Sequence, residues 1–598
     1  MDSPLPFKVA LVSMPWAIVN RPSVQLATLK SYLQLQQDIQ VDNYHPYLSI
    51  AASLGPSRYT EIALSGMGGE ALFAPLVFSG KKSDSRILFN HLLANSRKKQ
   101  PDFDEIAATV ATACDDWLKT FTCSDYSLIG FSVCFNQLLP SLYMAKLIKQ
   151  KYPAAAIVFG GSSCSGGLGK SLLAHFPEID YVISGEGERA LEALCSFVKG
   201  DSVHLPENVF HSSEEAATKS MSLVDLNQQP PPDYDDYFRQ MHHLFTNQPF
   251  IPEISLEFSR GCWWNKCSFC NLNIQWPDYR WKNGMKMVQE TLDLARRYEL
   301  LNFNFTDNAL PPKDADIFFS EIKKQAMDFS FFAEIRATLF PDRLRLYKEG
   351  GLNTVQVGIE ALSTSLLEKL KKGTTAIENI AAMKHCCEQN IALKGNLIVE
   401  FPSSSDHEVS ETLENLDYVL PYPPLDTASF FLGFGSPVHS YFHDYDIRSL
   451  TVHCKNRQLF PERYQKSMTM MLLGYRGDRT IQRKRWKPVI QKVRAWNEFH
   501  ANRMNLTPPL SYRDGKTFLI IRQERPHGPP LQHRLRGLSR RIYLACGEII
   551  TLDKLLELFT EVRRDRLTLF IESMCLKRLM FKEQDKVISL AVRQETCR

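Results

Sequence analysis

The sequence predicts an α/β protein with three domains: a Rossmann-like parallel sheet, a (β/α)6-type partial TIM barrel, and a small, mostly helical, winged-helix-like domain. The chain has 598 residues, which is too long for a single hydrophobic core. Short apolar segments alternate with amphipathic segments in two separate series, a pattern typical of parallel sheets. The last part of the chain loses this alternation. We therefore place the domains at 1–235, 236–445 and 446–598.

The first series of predicted strands lies near the N-terminus. Its strands are Val9–Ser13, Leu128–Val133, Ala156–Phe159 and Tyr181–Ser184, each followed by a helical segment. Ligands of open parallel sheets bind beyond the carboxyl ends of the strands, so we expect the segments after these strands to share one crevice. Residues 200–250 are rich in Pro and Gln and lack periodicity, and we expect them to form a linker.

The second series predicts the barrel, with its site at the carboxyl ends of the strands. Its six strands are Glu253–Phe258, Leu301–Thr306, Phe331–Ala337, Thr354–Ile359, Ala392–Glu400 and Thr427–Leu432. Beyond residue 445, aromatic and basic helical patterns follow. In the tail, Leu555–Thr560 and Leu569–Leu576 are predicted helices and Asp585–Leu590 is a predicted strand, which suits a winged-helix-like module.

Composition predicts an ordinary globular protein, and the lack of a signal peptide and of a spanning segment predicts a cytoplasmic one. Hydrophobic residues make up 44% of the chain and charged residues 23%, as in ordinary globular proteins. We find no signal peptide and no spanning segment, so we expect no membrane contact and reduced thiols for the 14 cysteines. Net charge is +4, yet residues 471–545 hold 17 Lys and Arg against 4 Asp and Glu. This stretch is either a solvated surface or a face that steers an acidic peptide or nucleic acid.

The most informative segment is the cysteine loop, residues 259–273, which reads SRGCWWNKCSFCNLN. It follows a predicted barrel strand and carries Cys262, Cys267 and Cys270 at the spacing C-x4-C-x2-C. Three thiolates favour a [4Fe–4S] cluster in which one iron takes an exogenous ligand. A structural zinc site would need a fourth protein ligand, and the loop contains no histidine. Zinc and inert core cysteines are the alternatives.

Several segments, together with Phe269 before the third cysteine, resemble one enzyme family. They are ALVSMPWAIVNRPSVQLATLKSYL (10–33), GFSVCFNQLLPSL (130–142), VFGGSSCSGGLG (158–169), DYVISGEGE (180–188), SRGCWW (259–264), FTDNALP (305–311), FFAEIRATL (331–339), VQVGIEALSTSLLEKLKKGTTAIENI (355–380) and GNLIVEFP (395–402). The chain resembles the cobalamin-dependent radical S-adenosylmethionine (SAM) C-methyltransferases that mature ribosomally synthesised peptides. The resemblance implies a [4Fe–4S] cluster, SAM and cobalamin as cofactors. The x4 cysteine spacing and Ser403-Ser404 depart from the pattern of that family.

Polar residues at the ends of the barrel strands are the candidate SAM contacts: Asp307, Asn308, Glu334, Arg336, Gly358 and Glu360. The Asp-Asn pair suits the amino group or a ribose. Glu334 and Arg336 alternate out of an apolar strand, so both would face the lumen, where a charged pair is costly unless it binds a ligand or pairs internally. A structural ion pair is the alternative. Gly358 would admit adenine and Glu360 would bind substrate or ribose, with a plain strand-to-helix turn as the alternative.

The first sheet offers candidate contacts to the cobalamin that the resemblance implies: Ser132, Asn136, Gln137, Gly160, Gly161, Ser184, Gly185 and Glu186. The glycine-rich run from Gly160 is not a Walker A loop, because Cys164 stands where a Gly is required, so we reject ATP. A sheet that has lost its ligand is the alternative. No D-x-H-x-x-G loop follows the first strand, and His45 lies in another element. We therefore expect no histidine below the cobalt.

The resemblance implies an enzyme that C-methylates an unactivated carbon of a ribosomally made precursor peptide. We expect residues 446–598 to recognise an acidic leader of that peptide, and an electron donor such as flavodoxin or ferredoxin to reduce the cluster. No residue is an obvious general acid or base, as expected where cofactors carry the chemistry. The rival hypotheses are an RNA-modifying radical SAM enzyme, suggested by the basic stretch, and a cobalamin-binding sensor without turnover. We do not expect nucleic acid as a partner.

Overall fold

The computed structural model describes residues 6–94, 102–212, 217–219, 223–247, 250–276, 278–338, 341–504 and 507–594. Residues 213–216, 220–222 and 248–249 of the predicted linker, and Leu339 of the similar segment 331–339, lie outside this part. Among the described residues, none of the helices combines the length and the apolar character that crossing a bilayer requires.

The first domain is built around a parallel sheet. Its strands are β1 Phe7–Val12, β2 Ile39–Tyr44, β3 Leu128–Ser132, β4 Ala156–Gly160, β5 Tyr181–Ile183, β6 His204–Pro206, β7 Val209–His211 and β8 Ala217–Lys219. Its helices are α1 Val24–Leu33, α2 Pro46–Leu54, α3 Pro56–Leu64, α4 Gly68–Val77, α5 Lys82–Leu92, α6 Phe103–Thr120, α7 Leu138–Lys151, α8 Gly167–His175, α9 Glu188–Lys199 and α10 Asp235–Leu244.

The strand order of this sheet, β2-β1-β3-β4-β5-β7, creates a switch point between β1 and β3. All pairs are parallel except β5 with β7. β1 and β3 are buried on both faces, which explains their continuous apolar sequence. At such a switch point the loops after the two strands diverge and leave room for a ligand.

Part of the predicted linker is ordered structure. β7 adds to the edge of the first sheet, and α10 packs against the same domain. Lys30 Nζ donates to Asp236 Oδ2 at 2.6 Å in a buried pair, which holds α10 in place. The prediction failed here because this packing depends on residues about 200 positions apart.

The second domain is a partial barrel. Its strands are β9 Ile254–Leu256, β10 Ser259–Arg260, β11 Arg280–Trp281, β12 Asn302–Phe305, β13 Ser330–Ile335, β14 Leu352–Val357, β15 Ala392–Lys394, β16 Asn396–Val399 and β17 Asp426–Ser429. Its helices are α11 Gly284–Tyr298, α12 Pro312–Lys324, α13 Pro341–Glu349, α14 Thr364–Lys369, α15 Ala376–Glu388 and α16 Asp406–Val419.

The barrel strands follow one another in the order of the chain. β9, β12, β13, β14 and β15 form one parallel sheet, and β16 pairs in parallel with β17. A parallel bridge between Glu360 and Leu397 joins the two sheets, with Ile398 N donating to Glu360 O at 2.8 Å. The predicted strand Ala392–Glu400 is therefore one strand that breaks at Gly395. Counted this way, the barrel has six strand positions, which is the (β/α)6 arrangement that the sequence predicts.

The C-terminal part combines small antiparallel sheets with helices. Its strands are β18 Leu432–Gly433, β19 Ser449–Val452, β20 Leu472–Arg476, β21 Leu510–Asp514, β22 Phe518–Gln523, β23 Leu531–Arg536, β24 Ile550–Thr551, β25 Met580–Glu583, β26 Lys586–Ser589 and β27 Val592–Arg593. Its helices are α17 Pro437–Ser440, α18 Cys454–Leu459, α19 Glu462–Ser467, α20 Arg479–Ala501, α21 Gly537–Ala545, α22 Leu552–Leu558 and α23 Arg564–Leu576.

Two units follow the barrel. The long helix α20 packs against α16, and Trp496 Nε1 donates to Tyr422 O at 3.0 Å. From β21 onward the chain forms three antiparallel strands, then three helices with β24 between the first two, and then the hairpin β25–β26. β24 pairs with β26, and β27 returns to β21. Helices followed by a hairpin form the winged-helix-like arrangement that the sequence of the tail predicts. The limits between the three domains stay a prediction.

Candidate active site

One cavity of about 340 Å³ lies between the first sheet and the barrel. On the sheet side it is lined by the ends of β1, β3 and β4 and by the turn after β5. On the barrel side it reaches residues 259–261, the first three residues of the cysteine loop, and Asn308, which follows β12. The cavity therefore lies at the switch point of the sheet and also touches the loop that carries Cys262.

Gly160, Gly161 and Gly185 form a floor of exposed backbone on part of the sheet side of this cavity, next to side chains such as Leu11 and Phe131. A Cβ added at Gly160 or Gly185 would meet its nearest neighbour at 3.9 Å, an ordinary van der Waals contact, so neither position is crowded by protein atoms. Gly161 has a φ of 100°, and a Cβ there would lie 2.7 Å from the Val133 carbonyl oxygen. Only glycine suits that turn. A floor of bare backbone fits a large planar group such as a corrin.

Five of the eight predicted cobalamin contacts line this cavity: Ser132, Gly160, Gly161, Gly185 and Glu186. Asn136, Gln137 and Ser184 do not. The Gln137 amide is satisfied internally, because it donates to Ser13 Oγ and Met14 O and accepts from Cys134 N. Ser184 Oγ accepts from Gly166 N at 2.8 Å, and Asn136 lines a separate cavity of about 70 Å³ beside the C-terminal part. These three side chains lie outside the cavity lining, and their contact with cobalamin stays a prediction.

A buried arginine joins the sheet to the barrel beside the cavity. Arg260 Nη1 lies 3.1 Å from Glu186 Oε2, and Nη2 donates to Glu188 Oε1 at 2.5 Å and to Glu257 Oε2 at 2.9 Å. Arg280 also pairs with Glu186. Burial acts to raise the pKa of Glu188, but the Arg260 guanidinium outweighs it and the pKa is lowered. The network fixes the backbone two residues before Cys262.

The cysteine loop is anchored to the barrel by main-chain hydrogen bonds. Ser268 N donates to Leu370 O at 2.9 Å, and Val438 N donates to Ser268 O at 2.9 Å. Trp264 Nε1 donates to Lys371 O at 2.8 Å. The segment after α14 therefore supports the loop from one side and α17 supports it from the other, so the position of the thiols is fixed by the fold.

The Cys262 thiol lies close enough to Cys267 and Cys270 to act on the pKa of both. Burial raises the pKa of Cys270 to about 11 and also raises that of Cys267, where Lys372 and Arg336 act in the opposite direction. Among the described residues no three His, Cys, Asp or Glu side chains converge on the position of a single ion. In a [4Fe–4S] cluster each cysteine binds its own iron, so convergence on one point is not required. Three neighbouring thiols with two adjacent cations fit an anionic cluster.

The two charged residues of β13 occupy different environments. Arg336 Nη2 donates to the Lys372 carbonyl at 2.5 Å, and its guanidinium lies 4.6 and 5.1 Å from the ring centroids of Trp264 and Trp263. Burial raises the pKa of Glu334 to about 7. Among the described residues the two side chains form no ion pair with each other, so the alternative of a structural pair is wrong.

Glu360 is held at the end of β14 by a cation. Its Oε1 lies 3.1 Å from Lys372 Nζ, and its φ of 59° is in the left-handed region. A Cβ at Gly358 would lie 2.4 Å from Lys372 Nζ, so the glycine makes room for this pair. The Glu360 carboxylate also acts to raise the pKa of Glu334, which places both carboxyl groups in one region of the lumen.

Asp307 and Asn308, the two predicted residues after β12, have different structural roles. Asp307 is buried and accepts from Phe258 N at 3.0 Å and from Ser259 Oγ, and burial raises its pKa to about 7. It therefore holds the start of the cysteine loop and does not line the cavity, and its contact with SAM stays a prediction. Asn308 lines the cavity and donates to Gly261 O at 3.3 Å.

Comparisons with known proteins identify the barrel. Residues 256–416 match the family model described as the Radical SAM superfamily. This part of the chain is a radical SAM domain. The match confirms the prediction of a radical SAM enzyme that uses SAM and an iron–sulfur cluster as cofactors.

Curated relatives share about a quarter of their residues with this chain. An uncharacterized methyltransferase of Pyrococcus horikoshii is 26% identical over 321 residues, covering 50% of this chain and 68% of the relative. The anaerobic magnesium-protoporphyrin IX monomethyl ester cyclase of Rubrivivax gelatinosus is 25% identical over 289 residues, and the hopanoid C-3 methylase of Methylococcus capsulatus is 26% identical over 296 residues. The matches cover 46% and 48% of this chain, and 51% and 55% of these two relatives.

Solved structures extend the similarity beyond the radical SAM domain. The cobalamin-dependent radical enzyme OxsB, solved with aqua-cobalamin, matches with a TM-score of 0.57 at 15% identity, covering 83% of this chain and 67% of that one. The radical SAM methyltransferase TsrM of Kitasatospora setae matches with a TM-score of 0.55 at 14% identity, covering 82% and 88%. The predicted fold class, a Rossmann-like domain before a radical SAM barrel, is confirmed.

Sequence reasoning missed the residues that connect the radical SAM domain to the first sheet. Glu257, Arg260 and Trp276 all line the cavity, and the Arg260 guanidinium lies 5.5 Å from the Trp276 ring centroid. The available signal was the position of Arg260, a charged residue next to Gly261 and the cysteine motif. Its three carboxylate partners come from two domains, so only the folded structure brings them together.

Proposed function

We propose that this chain is a cobalamin-dependent radical SAM C-methyltransferase, with a [4Fe–4S] cluster on Cys262, Cys267 and Cys270. The observation that carries the proposal is the single cavity that joins the glycine floor of the first sheet to the loop of the three cysteines. Two cofactors bound on its two sides would be adjacent. Similarity to the curated methyltransferases supports the same reaction class.

The residues of the cavity fit the proposed cofactors. When bound, SAM and the cluster supply radical chemistry and cobalamin supplies a transferable methyl group. Gly160 and Gly185 provide the flat floor for cobalamin, and Ser132 and Glu186 provide polar groups at its edge. The described cavity lining includes no histidine. His45 is buried elsewhere, with its ring packed edge-on against two tyrosines, and burial lowers its pKa to about 3.

The chain's own part in the reaction is to hold charge and exclude water. Lys372 and Arg336 stabilise the thiolate form of Cys267, which metal binding requires. In the lumen, Glu334 has a pKa of about 7, so this carboxyl group holds or releases a proton near neutral pH. Arg336, covered by two tryptophan rings, closes one side of the site. The arrangement positions bound groups and offers no nucleophile of its own.

The proposed substrate is a ribosomally made precursor peptide, methylated on an unactivated carbon. Support comes from the ordered series of sequence segments that resemble the peptide-maturing enzymes and from the basic C-terminal part, which suits an acidic peptide. A one-electron donor of the flavodoxin or ferredoxin class would reduce the cluster. We include a cytoplasmic location in the proposal, because reduced thiols and such donors occur there.

Transfer of a labelled methyl group tests the proposal. The full chain is reconstituted anaerobically with iron, sulfide and cobalamin and then supplied with a reductant and SAM labelled in its methyl group. We expect the label on cobalamin and 5′-deoxyadenosine in solution. The Cys267→Ala variant is the control for cluster-dependent cleavage. Cobalamin binding without SAM cleavage would contradict the proposal and support a sensor.

A further inference from the structure

The inner face of the barrel carries a row of polar side chains. In β13, Phe331 packs against Phe318 of α12 outside the barrel, so Glu334, three residues later, points into the lumen. Parallel pairing places Glu334 beside Gln356 and Gln356 beside Lys394. The row therefore presents a carboxyl, an amide and an ammonium group on three successive strands, β13, β14 and β15.

The lumen is covered on one side and open on the other. On the side of β9 the first domain covers the inner face, because Ser255 is 5% exposed and donates to the Pro22 carbonyl at 3.4 Å. On the side of β15 and β16, Ala392, Lys394 and Asn396 are all exposed. A substrate segment that enters the lumen from this side would pass these three residues.

Lys394 is a cation whose charge is not compensated by the chain. Its Nζ forms no ion pair or hydrogen bond with the residues that the structure describes, and it lies 5.7 Å from the ring centroid of Phe332. Arg21 approaches the same ring at 6.0 Å, but this arginine is paired with Glu253 at 2.7 Å. The charge of Lys394 is therefore available to a bound group.

The amides on either side of Lys394 are available as well. Across the described ranges, the side chains of Gln356 and Asn396 form no hydrogen bond. A carboxylate has two oxygens, so it can accept from an ammonium group and an amide at once. Asp426 stands opposite Asn396 on β17 and forms no ion pair with Lys394 in the described part. Negative charge is thus favoured at Lys394 and disfavoured beyond Asn396.

A substrate that fills the opening would remove Lys394 from water, which is unfavourable without a counter-ion. An Asp or Glu side chain supplies that counter-ion. One cation with neutral amides beside it suits a single carboxylate better than a phosphate chain, because Glu334 and Asp426 add negative charge nearby. Adjacent strands are about 4.8 Å apart, so Lys394 lies two strands, or about 10 Å, from Glu334. The bound carboxylate would be close to the reacting region of the lumen.

We propose that Lys394 binds the carboxylate of an Asp or Glu residue in the peptide segment that enters the lumen, and thereby determines which residue is methylated. That the ligand is a substrate rests on the proposed function. Lys394 is then a specificity-determining residue that contacts the substrate and takes no part in the radical chemistry. This contact is separate from the recognition expected of residues 446–598, because Lys394 belongs to the barrel.

Affinity selection from a peptide library tests the inference. The probe is a library of hexapeptides blocked at both ends, so that only side chains carry charge, and peptides retained by the full chain are identified by mass spectrometry. The wild type should enrich peptides with an Asp or Glu, Lys394→Arg should keep this preference, and Lys394→Glu should reverse it toward Lys or Arg. The matched control Lys324→Glu changes a 63% exposed lysine of α12 and should keep the acidic preference.

A double-mutant cycle isolates the contact. In the selected peptide, replacing Asp by Asn or Glu by Gln should weaken binding to the wild type about tenfold and binding to Lys394→Met less than about twofold. The neutral peptide and Lys394→Arg test the contact even if Lys394→Met folds poorly.

Absence of acidic enrichment in the wild type, or an acidic preference that survives in Lys394→Met, would overturn the inference. So would an RNA oligonucleotide that displaces the peptide in a Lys394-dependent manner, or a loss of SAM affinity in Lys394→Met, which would make this residue a cofactor contact. The peptide measurements need neither SAM nor cobalamin, so their failure is distinct from failure of the proposed chemistry.

Discussion

Replacing Arg260 should weaken the packing of the first domain against the radical SAM domain. Its side chain is 5% exposed and contacts carboxylates of both domains: Glu186 and Glu188 from the first, Glu257 from the second. In Arg260→Met, Arg280 would still pair with Glu186 and Gln229 would still donate to Glu188, but no cation is shown to pair with Glu188 or Glu257 among the other described residues. Removing one partner of a buried ionic network leaves uncompensated charge and costs about 3–5 kcal/mol.

The pH dependence of this loss has a definite sign. In the wild type the attraction of Arg260 lowers the pKa of Glu188 from its ordinary value of 4.5 despite burial. The stabilisation is therefore present above about pH 4.5 and is lost as the pH falls through the lowered pKa. Without the cation, burial acts to raise the pKa of Glu188 and is opposed only by the hydrogen bonds from Gln229 and the Glu188 backbone among the causes of the shift, so the charged form is penalised. The gap in stability between wild type and variant should widen from about pH 5 to about pH 8.

Scanning calorimetry of the full chain measures this gap. The first unfolding transition of Arg260→Met should fall by roughly 10 °C at about pH 8, given a few degrees per kcal/mol for domains of this size. The control is Arg260→Met/Glu188→Gln, which removes one carboxylate with the cation and should recover part of the loss. An unchanged transition in the single variant, or a gap that narrows as the pH rises, would refute the reasoning.

Three further outcomes follow from the structure. Electron paramagnetic resonance of Co(II)-loaded protein should show no nitrogen superhyperfine splitting from an axial histidine, and His45→Ala should leave the spectrum unchanged; splitting that disappears in this variant would contradict the assignment. Burial raises the pKa of Glu70 to about 7, so ionisation between pH 4.5 and 7 should destabilise the fold by about 3 kcal/mol, and Glu70→Gln should flatten the pH dependence of Tm over that range. Gly373 has a φ of 69°, and a Cβ at this residue would lie 2.0 Å from the Trp264 ring. Gly373→Ala should therefore displace the cysteine loop and lower iron uptake. An iron content equal to that of the wild type would show that the loop tolerates the shift.

Local periodicity predicted most of the elements that position the site. The strands that end beside Ser132 and Gly160 and all six barrel strands were predicted close to their observed bounds, because each is a short apolar run with a helix after it. The cysteine loop was predicted from spacing alone. In contrast, β2 and the helices between residues 46 and 120 were absent from the prediction, since their sequences do not repeat the strand–helix pattern of the first series.

The direction of polar side chains at strand ends could not be predicted. Ser132 is the last residue of β3 and Gln137 lies five residues later. Ser132 lines the cavity, whereas the Gln137 side chain donates to Met14 O. Asp307 similarly turns beneath the cysteine loop and not toward the cavity. Such choices depend on donors supplied by distant segments. The strand order of the C-terminal sheet, β23-β22-β21-β27, also required the structure, because strand order is not contained in strand propensity.

Iron content and SAM cleavage, measured together in cysteine variants, test the central claim most directly. Anaerobically reconstituted wild-type protein should hold about four irons per chain and release 5′-deoxyadenosine from SAM under reducing conditions. Alanine at Cys262, Cys267 or Cys270 should abolish both, whereas Cys454→Ala, an exposed cysteine outside the cysteine loop, should leave both unchanged. Stoichiometric zinc without iron uptake, or SAM cleavage that survives loss of the three cysteines, would contradict the account.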